Sequence, residues 1–431
     1  MRIVQLTPGT GGMFCGSCLR DNALVAELRR QGHDVLLAPL YLPLQTDEPD
    51  QSAGTPLFFG GINVFLQQKS ALFRNTPRAM DRLLDAPRLL KWASGLVAKT
   101  NAEELGELTL SMLRGEEGRQ AKELERLMAW LQATGKPDVV ILSNALLAGL
   151  ARRIKLELKA PIVCTLHGED SFLDALPEPH RGACWAALQE RARDIDAFIA
   201  VSRYYAEVLG PRMKVPSPRL HVVYNGIALD GYAPASAPPQ PPVLGYFARL
   251  CPMKGLDTLV EAFVQLKARD RVKGLRLCLG GTVTPGDEAF LVKIKAHLRA
   301  HHLLESVEFF ANVDRKTKQD FFRSLSVLSV PATYGEAFGL YLLEAWASGV
   351  PVVQPRHGAF PELLEATGGG VLCEPGDPAA LADALEALLL NPEQRCELGA
   401  RGRQAVLKDF SVERMALNML EKLEKIRQGP K

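Results

Sequence analysis

Two glutamates eight positions apart, Glu336 and Glu344, lie in the stretch Tyr334-Gly-Glu-Ala-Phe-Gly-Leu-Tyr-Leu-Leu-Glu344, and both stand where a carboxylate can do chemistry. The apolar run at 326–330 before Pro331 reads as a buried strand. Residues 339–348 then read as a helix that stops at Gly349, where positive φ can close the last turn. Glu336 falls on the loop between strand and helix. Leu342, Leu343, Ala345, Trp346 and Ala347 surround Glu344, and a helix apolar on nearly every face is an interior helix. A carboxylate buried there without hydrogen bonds would cost several kcal/mol. Protein groups or the hydroxyls of a ligand must supply the donors. The local geometry favours a ligand, because Gly339 has no β-carbon and lets a phosphate approach the N–H groups that open the helix.

A second set of groups suits the same ligand. Residues 243–247 are strand-like, 256–267 are helix-like, and the connection Ala248-Arg-Leu-Cys-Pro-Met-Lys-Gly255 carries Arg249 and Lys254. This connection leaves the carboxyl end of a strand, where open α/β sheets bind ligands. Arg offers a planar fork of donors and Lys a mobile point charge, a combination able to neutralise a departing diphosphate. Solvated surface charge is the plainer reading of two cations on a loop.

The elements that must position these groups are legible along the chain. At 431 residues the chain suits two domains. Residues 234–242, Pro-Ala-Ser-Ala-Pro-Pro-Gln-Pro-Pro, cannot continue a helix or a central strand and read as a semi-rigid connector. Before it, a strand at 3–6 runs into Thr7-Pro-Gly-Thr-Gly-Gly12, then a helix at 20–31 and a strand at 34–37. A glycine turn between strand and helix suits phosphate, although the spacing does not meet the Gly-x-Gly-x-x-Gly dinucleotide pattern. The strand at 161–166 delivers His167 to its carboxyl end, and strands at 197–202 and 220–226 end on Ser202 and Asn225, which are either cleft residues or a cap and a turn. The spacing of apolar residues at 412–426 predicts an amphipathic last helix.

The Glu-x7-Glu spacing in its strand, loop and apolar helix, followed by Gly349-Val-Pro-Val-Val353 and Gly358-Ala-Phe-Pro-Glu362, resembles the signature of retaining glycosyltransferase family 4. The resemblance covers nearly all of the chain, most specifically 243–256 and 327–378. It implies the GT-B fold: α/β, two Rossmann-like doubly wound parallel-sheet domains facing a central cleft. The domains would be 1–230, binding the acceptor; 231–242, the connector; 243–410, binding the nucleotide sugar; and 411–431, a helix packing back on the first domain. By the same resemblance Glu344 would hold the ribose diol, Glu336 would lie against the transferred sugar, and Arg249 and Lys254 would bind the diphosphate. Phe338, Gly339 and Leu340 would line the donor at the start of the helix. Gly11 and Gly12 match the glycine loop that faces the donor, and His167 matches a turn that touches the donor sugar. Gly280 and Gly281 would face the donor, and Val313 in the loop Ala311-Asn-Val-Asp314 would pass near the base. Met253 stands where many relatives carry Glu, and Ala311 replaces a Gly common in the family.

The function so implied is transfer of a sugar from a UDP-, GDP- or ADP-sugar to a hydroxyl of a sugar, polysaccharide or lipid-linked acceptor, with retention and with no metal or other cofactor. No pair of carboxylates is placed for a covalent double displacement. The family is thought to react on one face, the departing phosphate taking the acceptor's proton. A GT-B sugar-nucleotide epimerase and a non-catalytic sugar-nucleotide-binding protein are the alternatives.

Composition and the remaining motifs narrow this reading. The 51 basic and 49 acidic residues nearly balance, which gives no electrostatic case for nucleic acid. With no apolar segment long enough to cross a bilayer, the expectation is a cytoplasmic protein, at most peripheral at the inner face of the membrane. Between 68 and 100, seven basic residues face two acidic ones and alternate with Leu72, Phe73, Met80, Leu83, Leu84, Leu89, Leu90 and Trp92. This segment is either an interfacial helix contacting a membrane or acceptor, or a helical excursion packed on the first domain. Asp194-Ile-Asp196 spells a metal-binding pattern, but its setting predicts solvated carboxylates. The eight cysteines fit reduced thiols rather than a disulfide framework. Cys15-Gly-Ser-Cys18, just before a helix, has three readings: packing thiols, a redox switch closing the cleft, or a partial metal site.

Overall fold

The computed structural model describes residues 1–10, 14–60, 64, 66–68 and 101–429. Gly11, Gly12 and nearly all of 68–100 therefore lie outside the described residues. The chain packs as two compact units, Met1–Tyr224 with Ala416–Lys431, and Asn225–Met415.

The first unit is built on a parallel sheet of β1 (Arg2–Thr7), β2 (Asp34–Pro39), β3 (Val139–Leu142), β4 (Ile162–Leu166), β5 (Ala197–Ala200) and β6 (Leu220–Val222), in the order β2-β1-β3-β4-β5-β6. β3, β4 and β5 are buried at every residue, which is why they read as unbroken apolar runs. The chain leaves β1 for one edge and later resumes at β3 for the other, so the topological switch point lies between β1 and β3. Helix α1 (Gly16–Arg30) follows β1. It starts four residues before the start read from the sequence, because Gly16 and Ser17 carry no apolar side chain to mark the first turn.

The second unit repeats the plan with β7 (Val243–Phe247), β8 (Arg276–Gly281), β9 (Val307–Ala311), β10 (Val327–Leu328), β11 (Val352–Pro355) and β12 (Gly370–Cys373), in the order β12-β11-β10-β7-β8-β9. Here the switch point lies between β7 and β10. The helices that matter below are α2 (Leu256–Arg269), α3 (Arg315–Arg323), α4 (Leu340–Ala347) and α5 (Val412–Gln428). Strand β10 is shorter than the 326–330 run, although all five residues are buried. Its ladder ends where the Val330 N–H turns to the Gln354 side chain at 3.4 Å.

Packing divides the chain after Tyr224, ahead of the position near 230 suggested by composition. Residues just past the division are drawn into the second unit. Ile227 donates to Phe410 O at 3.1 Å and accepts from Val412 N at 2.9 Å. Tyr232, 6% exposed, donates to Glu344 Oε1 at 2.9 Å. At the other end, α5 begins in the second unit and counts with the first from Ala416 onward, burying Met419 and Leu423 completely.

The two loops flanking the second switch point are stitched together. Met253 O accepts from Thr333 N at 3.0 Å and from Thr333 Oγ1 at 3.2 Å. Only the Met253 carbonyl serves this link, so its half-exposed side chain is free to vary. Gly255 has φ +69° and passes so close to the other loop that a β-carbon would sit 1.8 Å from the Pro331 carbonyl oxygen. Gly255→Ala should therefore cost roughly 2–4 kcal/mol, seen as a lower urea midpoint, from left-handed strain plus the forced separation of the loops. A variant as stable as the parent would show that the loops are not held this way.

Candidate active site

The loop after β7 and the loop after β10 meet through one part-buried ion pair. Lys254 Nζ donates to Glu336 Oε2 and to the Tyr334 hydroxyl. The same carboxylate oxygen accepts from Tyr341 OH at 3.1 Å and Tyr334 OH at 3.3 Å, and Glu336 is only 8% exposed. Burial works against the Lys254 ammonium, but the Glu336 carboxylate and the Tyr334 hydroxyl outweigh it and raise its pKa. Glu336 Oε1 takes no hydrogen bond from the described residues.

Arg249 is held from the side. Its Nε reaches Asp287 Oδ2 at 3.0 Å, and its Nη2 reaches Oδ1 at 3.0 Å and Thr284 Oγ1 at 3.3 Å. Asp287 also accepts from Thr284 N and Oγ1, at 2.9 and 2.6 Å, within a capping box. Burial pushes the Asp287 carboxyl up, but the hydrogen bonds from Arg249 and Thr284 outweigh it and hold the group below the usual carboxylate range. The Arg249 side chain stays half-exposed, and its Nη1 has no partner among the described residues.

Glu344 faces inward from α4, whose N-cap Gly339 has φ +91°. Its Oε1 accepts from Lys318 Nζ of α3 at 2.6 Å and from Tyr232 OH at 2.9 Å. Protein groups thus supply the donors to this oxygen, where the sequence favoured a ligand. Oε2 takes none from the described residues.

The remaining second-unit candidates divide. Phe338 is buried, and Leu340 opens α4. A β-carbon on Gly281 would lie 1.8 Å from Ala248 O, and one on Gly280 would lie 2.5 Å from the Phe247 ring. These two glycines are thus required by strand packing beneath the Arg249 loop, whether or not they face a ligand. Val313 is part-buried beside Asn312, whose side chain exchanges two 3.1 Å bonds with the Val283 backbone.

In the first unit, His167 sits at the carboxyl end of β4 with Nε2 3.1 Å from Thr165 Oγ1. Glu169 clamps its turn, accepting from His167 N at 2.8 Å, Gly168 N at 2.9 Å, Ala145 N at 2.9 Å and Tyr205 OH at 3.0 Å. Ser202 is a helix cap, accepting from Tyr205 N at 3.0 Å. Asp194 and Asp196 are not simply solvated: Arg152 reaches Asp194 at 3.3 Å, and Lys155 and the Ile162 N–H reach Asp196 at 2.7 and 2.8 Å.

The family described as Glycosyl transferases group 1 matches residues 233–405, and that described as Glycosyltransferase Family 4 matches residues 104–230. A phosphatidyl-myo-inositol mannosyltransferase of Mycobacterium leprae is 31% identical over 67% of this chain and 73% of its own length. The chain belongs to glycosyltransferase family 4. A D-inositol 3-phosphate glycosyltransferase of Xylanimonas cellulosilytica is also 31% identical to this family 4 chain, over 61% of it and 65% of the relative, so the match spans just under two thirds of that relative's length. Among solved structures, the Anabaena protein Alr3699/HepE in complex with UDP superposes with a TM-score of 0.69 at 17% identity, covering 98% of this chain and 100% of that one. The fold is GT-B, with two parallel six-stranded sheets flanked by helices.

Several partners in this family 4 site were missed in the sequence. Asp287 carried a signal, since Thr284-Pro-Gly-Asp287 has the spacing of a capping box, but nothing tied it to Arg249. Lys318 carried another: it shares the buried stripe of α3 with Phe321 and Phe322, an unusual place for an ammonium unless it is paired. Tyr232 gave no local signal.

Burial, and next the Arg20 guanidinium, hold His167 well below the usual imidazole range, so it is neutral at neutral pH. In the unfolded chain it would titrate near its ordinary value of about 6.5. Below that pH the unfolded state binds the extra proton, so this contribution to stability is present above about pH 6.5 and is lost as pH falls below it. His33 and His221 are also shifted down, so the expected result is a difference. His167→Gln should lose less urea stability between pH 7 and 5 than the parent, and equal slopes would refute the assignment.

Proposed function

We propose that this protein transfers a sugar from a nucleotide-sugar donor to an acceptor hydroxyl, with retention at the anomeric carbon and without a metal ion. One observation carries the reading. Four polar side chains at or beside the β7/β10 edge are each tied down by part of their hydrogen-bonding capacity, and the rest is uncommitted among the described residues. Arg249 has Nη1, Lys254 one N–H, and Glu336 and Glu344 one carboxylate oxygen each. Side chains fixed by one edge and free on the other are what a preorganised site requires.

In this reading Glu344 Oε2 accepts from the ribose diol. Arg249, Lys254 and the first N–H groups of α4 receive the diphosphate. Glu336 Oε1 takes hydroxyls of the transferred sugar. Negative charge grows on the departing diphosphate as the glycosidic bond breaks, and the two cations meet it without moving. The departing phosphate oxygen then takes the acceptor's proton on the same face, leaving position and field to the protein. Acceptor hydroxyls are assigned to the first unit. The solved neighbour with UDP supports a nucleoside diphosphate donor, and the inositol-directed relatives support a polyol or sugar hydroxyl as acceptor.

A thermal-shift screen of UDP-, GDP- and ADP-sugars should find one donor that raises the melting temperature by mass action. Transfer from that donor should persist in EDTA and give a product with the donor's anomeric configuration by NMR. Recovery only with magnesium or manganese, or an inverted product, would overturn the corresponding part.

Glu344→Gln should weaken donor binding in calorimetry by roughly 1.5–3 kcal/mol, because a neutral amide accepts less strongly from the diol. Since the same change unpairs Lys318, Glu344→Gln/Lys318→Met provides the control. Stability should recover in the double variant and donor affinity should not. Affinity that recovers with stability would leave Glu344 a purely structural residue.

A further inference from the structure

The pair Cys15 and Cys18 has no part in sugar transfer as read above. It lies in the first unit where the chain leaves β1, at the switch-point edge. Cys15 immediately precedes α1 in an extended conformation, φ −123° and ψ 129°, and is part-exposed, with its sulfur 3.1 Å from Ser17 Oγ. Cys18, fully buried, follows three residues later on the first turn of α1. Behind Cys18 the polar groups continue inward. Thr7 Oγ1 lies 3.8 Å from the Cys18 sulfur and 3.5 Å from Ser143 Oγ, and Ser143 donates to Asp21 Oδ2. Asp21 is one turn beyond Cys18 on the same helix face and has no exposed surface. Its other oxygen accepts from Arg20 Nη1 at 3.0 Å. Both thiols are free.

This arrangement is asymmetric in a chemically useful way. The accessible sulfur lies beside the Ser17 hydroxyl and the start of a fifteen-residue helix, both of which can favour a thiolate. The buried sulfur faces an acid across two hydroxyls, those of Thr7 and Ser143. A dithiol used only for packing needs neither feature.

We propose that Cys15 and Cys18 form a thiol–disulfide exchange site, in which Cys15 attacks a low-molecular-weight disulfide, Cys18 resolves the mixed disulfide, and Asp21 receives the Cys18 proton. The Cys15 thiolate forms a bond to one sulfur of R–S–S–R. The S–S bond breaks, and R–S⁻ leaves and takes a proton from water. Cys18 passes its proton through Thr7 Oγ1 and Ser143 Oγ to Asp21, then attacks the Cys15 sulfur and expels the second R–S⁻, which is protonated by water. Two protein thiols are oxidised to one disulfide, and one small disulfide is reduced to two thiols.

The acidities agree with these roles. The Cys18 thiol is the largest influence on Cys15, with Ser17 assisting against burial, and its pKa is lowered to about 6. The bond to Cys15, then burial, then the charges of Cys15 and Asp21 push Cys18 up, so it needs a base. Burial raises Asp21 against the opposing pull of Arg20, Ser143 and Thr7, which makes it a better proton acceptor than an ordinary carboxylate.

The test uses the full chain. Reduced protein is treated with oxidised glutathione at pH 7, quenched in acid, alkylated and digested with trypsin, which leaves both cysteines on the peptide 3–20. The parent should form the internal disulfide. Cys18→Ser should stop at a Cys15–glutathione mixed disulfide, and Cys15→Ser should leave this peptide unreacted. Exposed Cys396 serves in every sample as the reference for access alone, and Cys15 should react roughly tenfold or more faster than it. Asp21→Asn should slow ring closure roughly tenfold or more while leaving the first attack unchanged. Thr7→Val removes the first relaying hydroxyl, keeps the shape and should do the same, which covers the case in which Asp21→Asn fails to fold. Cys15 reacting no faster than Cys396, or a parent that stops at the mixed disulfide, would overturn the site. Closure at the parent rate in a folded Asp21→Asn or in Thr7→Val would overturn the role of Asp21.

Discussion

In a parallel sheet every strand delivers its following loop to the same edge, and at the switch point two neighbouring loops lead away in opposite directions. Something must hold such loops together. In the second unit that task falls to the Lys254–Glu336 pair, with the Met253–Thr333 bonds and the close pass of Gly255 beside it. Removing one member leaves the other charged and without its partner. The same two side chains are among those proposed to meet the donor. Rigidity of the edge and readiness of the site thus rest on one interaction.

A carboxylate has two oxygens and a guanidinium has more than one edge, and the second unit exploits both facts. Glu344 gives Oε1 to Lys318 and Tyr232, Glu336 gives Oε2 to Lys254 and two tyrosines, and Arg249 gives Nε and Nη2 to Asp287. Each charge therefore has a counter-charge before any ligand arrives. The proposed site is a set of oriented dipoles rather than a bare cationic patch, and such a set would need little reorganisation if charge developed on a leaving group. The first unit follows the same economy at its own strand ends. Glu169 collects four donors around the His167 turn, and Asp21 takes one from Arg20 and one from Ser143.

Much of this was legible in the order of residues, because local physics writes itself locally. Buried parallel strands must be apolar throughout, so β4, β5 and the buried middle of β7 stand out as runs. Helix ends need residues that tolerate positive φ, so Gly339 and Gly349 bracket α4. Loops at the carboxyl ends of strands carry the polar residues, which is how Arg249, Lys254, Glu336 and His167 could be named. The last helix was likewise visible as a stripe of apolar residues, since its buried face repeats with the helical period.

Only tertiary structure decided who partners whom. Lys318 is 26 residues from Glu344, Tyr232 is 112 away, and Asp287 is 38 from Arg249. No local rule connects such positions, because which side chains meet depends on strand order, and strand order is set by how whole sheets close their cores. The division of the chain was displaced for the same reason. Composition marks the proline-rich stretch, but packing assigns residues to a unit by what they touch, and Tyr232 touches Glu344. By itself the sequence determined the kinds of elements, the family and the residues offered to chemistry. The fold determined which oxygen or nitrogen of each is already spent on the protein, and so which atom is left to act.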